Sequence, residues 1–142
     1  MIKSENEEPV AIVEITNRRD MTPEVAQQIR RNMLVHGIAL PVRYFLLVSQ
    51  DKGYVWTPAS APHYDTPPDG EFSMREIVKD YLPSNEPDRR FREPELSLIV
   101  LRWLGDLAFG HDHPSQDSER VLSQLGFLDA IGEGTVLAEP GR

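Results

Sequence analysis

The chain contains no cysteine, which removes disulfides and every thiolate metal site from consideration. That absence fits a reducing compartment, and a cytoplasmic location is the expectation. No apolar run approaches the ~20 residues a helix needs to cross a bilayer, so no membrane partner is expected. Positive charge is scarce: 15 Lys and Arg stand against 23 Asp and Glu, a net charge of −8. A general nucleic-acid binder needs the opposite balance, because affinity for phosphate rests on cations, although a local patch can oppose the average. A glycine-rich phosphate loop, a nucleophile elbow and a Ser/His/Asp arrangement are all missing. So are internal repeats and low-complexity tracts. The first eight residues are acidic and polar, unlike a signal peptide, and read as a flexible leader.

What remains is a 142-residue chain of one expected domain. Val10 to Ile15 is almost wholly apolar and β-branched, which suits a strand buried on both faces. Glu14 interrupts it. A carboxylate there is costly unless it is paired, bound to a metal, or at the strand's mouth. Strand period puts Thr16 on the same face as Glu14. After Asn17 to Asp20, Thr22 is a good N-cap and Pro23 a good first helical residue. The helix is expected to run to about His36 and stop at Gly37, with Val25, Ile29 and Met33 on its apolar stripe. A strand over Val42–Ser49 follows, then a turn at Gln50–Gly53 and a return strand Tyr54–Trp56, a hairpin by its turn chemistry. The strand–helix–strand order predicts a parallel pair. The fold class is therefore α/β: a small mixed sheet with a βαβ crossover and a hairpin strand, flanked by helices.

The Pro-rich stretch 57–70 reads as an irregular surface loop. Ser73 with Glu76 is a capping-box pattern for a short helix through Tyr81. Glu95 to Phe109 carries Leu96, Ile99, Val100, Trp103, Leu104 and Leu107 at helical spacing, broadened by Leu98 and Leu101. A last helix spans about Ser118 to Leu125. The boundaries drawn are 1–8 leader, 9–56 βαββ core, 57–70 loop and 71–142 helical cover. Three strands make a thin sheet, and with the apolar Glu95–Phe109 helix that thinness predicts a homodimer.

The order of buried strand ending in Glu14-Ile15-Thr16, amphipathic helix bearing Gln27 and Gln28, and apolar strand Tyr44-Phe45-Leu46-Leu47-Val48 resembles the PD-(D/E)xK nuclease superfamily, the restriction-endonuclease-like fold. The resemblance covers about Val10 to Trp56. It implies Glu14 as a metal ligand and, with Thr16 and Gln28, as the catalytic set, with Mg²⁺ as the metal if the chain is active. Thr16 stands where the family's lysine would be and cannot supply its positive charge. The family's upstream aspartate has no evident counterpart. The implied function is a nuclease-like domain lacking a complete catalytic set, acting as a binding or assembly module. The alternative is a metal-dependent DNA endonuclease completed by a partner subunit or by a missing N-terminal segment.

Arg18, Arg19, Arg30 and Arg31 concentrate positive charge beside Glu14. They read either as phosphate ligands for a nucleic-acid partner, since arginine forks match phosphate oxygens, or as a solvated helix face. Glu14 itself reads either as a metal position or as a strand-end carboxylate paired with Arg18, Arg19 or Arg30. Gln27 and Gln28 read as surface residues or as facing Glu14. His111-Asp112-His113 reads as a polar helix-exit loop, with metal binding as the minor reading. Tyr54 and Trp56 read as core, with base stacking as the minor reading.

Overall fold

The computed structural model describes residues 2–3, 9–36, 44–60, 63, 65–82, 90–108, 116–127 and 135–136. The elements are β1 (Ile2–Lys3), β2 (Pro9–Ile15), α1 (Pro23–Val35), β3 (Tyr44–Val48), β4 (Lys52–Trp56), β5 (Gly70–Ser73), α2 (Met74–Lys79), α3 (Glu93–Ala108), α4 (Gln116–Gln124) and β6 (Thr135–Val136). The strands form one mixed sheet in the order β5-β4-β3-β2-β1-β6.

The apolar runs at 10–15 and 44–48 become the two central strands, paired parallel with Glu14 opposite Leu47 and Ile15 opposite Val48. Central position explains their composition: both faces are covered, so both sets of alternate side chains must be apolar. The amide of Thr16 donates to the carbonyl of Val48 at 2.9 Å and extends this ladder one residue further. β4 returns antiparallel to β3, with Phe45 opposite Trp56, but it begins at Lys52, so Lys52 and Gly53 belong to the strand rather than to the turn expected over Gln50–Gly53. Helix α1 covers one face, where Ile12, Met21, Ala26, Met33, Phe45, Leu47, Tyr54 and Trp56 form one buried cluster. The other face carries Val13, Ile15, Leu46, Val48 and Phe72 against side chains of α2, α3 and α4, among them Ile77, Trp103 and Leu122. The result is a layer of sheet between two layers of helix, an α/β fold.

Several expectations are corrected. The leader is not wholly unstructured, because Ile2 and Lys3 pair antiparallel with β2, and on their other side with β6. Among the described residues the sheet has six strands rather than three, so thinness no longer argues for a second copy. Gly70 to Ser73 is a strand on the β4 edge, where the sequence suggests the end of a loop. Ser73 does occupy the N-cap of α2, but its side chain makes no capping hydrogen bond. Helix α1 begins as expected, with Thr22 Oγ1 accepting from the amide of Val25 at 3.2 Å. Its apolar face is rotated, however. The fully buried side is Ala26, Arg30, Met33 and Leu34, while Val25 and Ile29 are only partly buried. Val42, Arg43, Gly37, Phe109 and His111–His113 lie outside the described residues.

Candidate functional site

Glu14 ends the apolar run on the α1 face of the sheet and is 3% exposed. It lines a cleft of about 470 Å³ together with Thr16, Arg18, Leu47 and one flank of α1: Ile29, Asn32, Met33 and His36. The strand period brings Glu14 and Thr16 to one side. The connection after β2 then holds Arg18 at the rim, where its amide donates to Thr16 Oγ1 at 3.3 Å. Asp20 turns the chain in a left-handed conformation, φ 56°, which a short polar side chain tolerates better than a bulky one. The carbonyl of Met21 then accepts from the Tyr54 hydroxyl at 3.1 Å. That bond fixes where α1 starts, and hence which flank of α1 faces the cleft. At the far end, His36 caps the helix: its amide donates to the carbonyl of Asn32 at 3.2 Å, and its Nδ1 bonds the same oxygen at 2.6 Å.

Glu14, Thr16 and Arg18 are thus brought together, and four other expected residues are not. Gln28 and Arg31 line a separate depression with Glu24, Gln27 and Asp65 on the outer side of α1. Arg19 is exposed on the connection and is not part of the cleft lining. Arg30 departs furthest from both of its readings. It is 2% exposed, and its guanidinium donates to the carbonyls of Ser60 and His63, each at 2.7 Å. Its Cζ lies 5.2 Å from the centre of the Trp56 ring and 6.0 Å from that of Phe45. Burial lowers its pKa, and Asp69 opposes that shift. A guanidinium committed to two carbonyls and two rings is a strut for the 57–69 loop, not a phosphate ligand.

That loop is accordingly well tied. Asp69 accepts from Thr57 and Ser60, the indole of Trp56 donates to the carbonyl of Thr66, and Gln27 donates to Asp65. Tyr54 and Trp56, both fully buried, are core residues and unavailable for stacking a base.

The fit of a divalent metal can be judged from the donor set. Mg²⁺ takes oxygen ligands in near-octahedral geometry. Among the described residues Glu14 is the one carboxylate in the cleft lining. Among the described residues, no three His, Asp or Glu side chains gather as a metal cage. The described residues alone do not make a Mg²⁺ site.

Sequence reasoning missed Asn32 and His36. Their signal was their spacing of four on a helix, beside Ile29 and Met33, which sets all four on one flank. The phase of that flank relative to the strands depends on packing.

Tyr54 supplies a pH prediction. Burial, then Glu71 and Glu24, raise its phenol from 10.0 to about 12. The folded state therefore favours the neutral phenol. Its stabilising contribution is complete below pH 10 and is lost as pH rises through 12. In an alkaline titration followed by tyrosinate absorbance, one component should appear late and together with unfolding. Tyr54→Phe should remove that component. A late component that survives the substitution would assign the shift elsewhere.

Comparison with known protein families, curated proteins and solved structures finds no match to this chain.

Proposed function

We propose that the chain is a nuclease-like α/β domain without a complete catalytic set, and that it acts as a binding module through the cleft at Glu14. The observation that carries this reading is the lining itself. A buried carboxylate, a hydroxyl and an arginine converge at the C-terminal end of a parallel strand, and the position two residues beyond the carboxylate holds threonine. The parallel pairing of β2 with β3 and the antiparallel pairing of β1 with β2 support the kinship. The donor set described above supports the absence of metal-dependent cleavage. The exposed Leu98 and Leu101 on α3, at 70% and 40% exposure, support a role in assembly, including self-association.

The test is incubation of plasmid and single-stranded DNA with the chain in Mg²⁺ or Mn²⁺. No cleavage is expected from the unaltered chain, and none from Thr16→Lys, because an added amine does not supply a second carboxylate. Cleavage that disappears in Glu14→Ala would overturn the proposal and establish a metal-dependent nuclease. Cleavage gained by Thr16→Lys would show that the rest of a catalytic site survives.

A further inference from the structure

We infer that the Glu14 cleft takes a basic amino-acid residue bearing a free carboxylate, with its cationic head at Glu14 and its aliphatic stem along Ile29, Met33 and Leu47. This rests on reading the cleft as a binding site rather than an active site. Three features of the lining select the ligand. Among the described lining residues the most buried polar side chain is the Glu14 carboxylate, 3% exposed, and a carboxylate offers about four acceptor positions, so it can take a ligand's donors in addition to those of the protein. A charged group held in such surroundings favours a cation over a neutral donor. The apolar wall is aliphatic: among the described residues it is Ile29, Met33 and Leu47, and the His36 ring lies on an exposed residue at the end of α1. Nucleobases are held by stacking on rings or guanidinium planes, whereas a chain of methylenes packs well on Ile, Met and Leu.

The rim carries the opposite charge. Arg18 is exposed there, on a connection held by its own amide to Thr16. Its fork suits a carboxylate. A ligand bearing both a cation and a carboxylate matches both charged groups of the lining at once. Its volume of about 470 Å³ lies within the range of small-molecule sites. The net charge of −8 favours approach of a cationic ligand over a polyanion. The same chemistry is carried by free arginine or lysine and by a peptide ending in either.

Calorimetric titration of the full chain tests this with L-arginine, L-lysine, L-norleucine, and a tripeptide ending in arginine as acid and as amide. Arginine or lysine, free or terminal, should bind on the order of tenfold or more tightly than norleucine, which keeps the stem and carboxylate but lacks the cation. Binding by the free amino acids assigns them as the source. Binding by the peptide acid alone assigns a peptide C-terminus. Glu14→Gln should weaken either by a similar factor. Arg18→Gln, a substitution at an exposed position that leaves the core intact, should weaken the acid and leave the amide unchanged. Equal binding of norleucine, indifference to both substitutions, or no heat from any basic ligand would overturn the inference. So would displacement of a bound basic ligand by an oligonucleotide in an Arg18-dependent manner. The nuclease assay is independent: DNA cleavage sinks the proposed function, whereas absent cleavage with absent ligand binding sinks this inference alone.

Discussion

Arg30→Met is expected to lower stability by about 3 kcal/mol and to release the 57–69 loop. The guanidinium makes two hydrogen bonds of 2.7 Å to loop carbonyls, and bonds to a charged group contribute about 1.5–3 kcal/mol each. Removing the donor also strands the carbonyl of buried Ser60, where water reaches poorly, while that of exposed His63 can turn to solvent. Two effects work the other way. Methionine keeps much of the stem's packing, and the cost of burying a cation disappears. That cost is appreciable here, because among the described residues Nε of Arg30 is buried with no hydrogen-bond partner. The donors outweigh it, since losing one side of a buried charged contact is more damaging than replacing the whole contact. For a chain of this size the change corresponds to roughly 6–12 °C in Tm. Arg30→Lys should recover only part of it, because a single ammonium cannot reproduce the planar fork that reaches both carbonyls. Arg31→Met, one residue along and exposed, should stay within about 0.5 kcal/mol. Thermal denaturation, with limited proteolysis of the loop as a second readout, checks the series. Equal midpoints for Arg30→Met and Arg31→Met would remove the strut.

Arg30 also shows where sequence reasoning stops. An arginine in the middle of a polar helical face reads as solvated, because charged side chains are rarely buried unless paired. What pairs it is two loop carbonyls 30 and 33 residues away, and backbone carbonyls leave no trace in the sequence. The same limit explains the helix phase. Val25, Ile29 and Met33 make an apolar stripe at the right period, yet the buried side is centred about one residue further on, near Ala26, Arg30 and Met33. Period fixes which residues share a face, whereas the contact with Trp56 and the tie from Tyr54 to Met21 decide which face turns inward.

The central strands were legible because burial on both faces demands continuous apolar runs. β1, β5 and β6 were not. At two to four residues they are too short to show a period, and their extended form is imposed by the ladder they join. At the cleft, Glu14, Thr16 and Arg18 could be read because they are close in sequence and strand period is local. Asn32 and His36 come from a different element, so only the tertiary arrangement brings them in.

The second large effect concerns Gly53, and it shows how a strand position can require the absence of a side chain. Gly53 lies in β4, fully buried, directly opposite Phe72 of β5. A Cβ built there would stand well inside contact distance of the Phe72 ring. The ring covers the glycine backbone, a pairing that compensates for a glycine in a strand. The ring has little room to withdraw: Phe72 is 4% exposed, and its centroid is 5.9 Å from that of Trp103. Gly53→Ala should therefore cost about 1–3 kcal/mol by overpacking, although alanine ordinarily favours a strand more than glycine does. Phe72→Ala should cost about 3–5 kcal/mol as a cavity. The decisive quantity is the coupling. In the Phe72→Ala background the added methyl group has space, so Gly53→Ala should become neutral or stabilising, and the double mutant should be more stable than the sum of the single changes by more than about 1 kcal/mol. Chemical denaturation of the four proteins measures it. Additive costs would mean that the ring moves aside freely, and that glycine at this position serves β4 for some reason other than the ring above it.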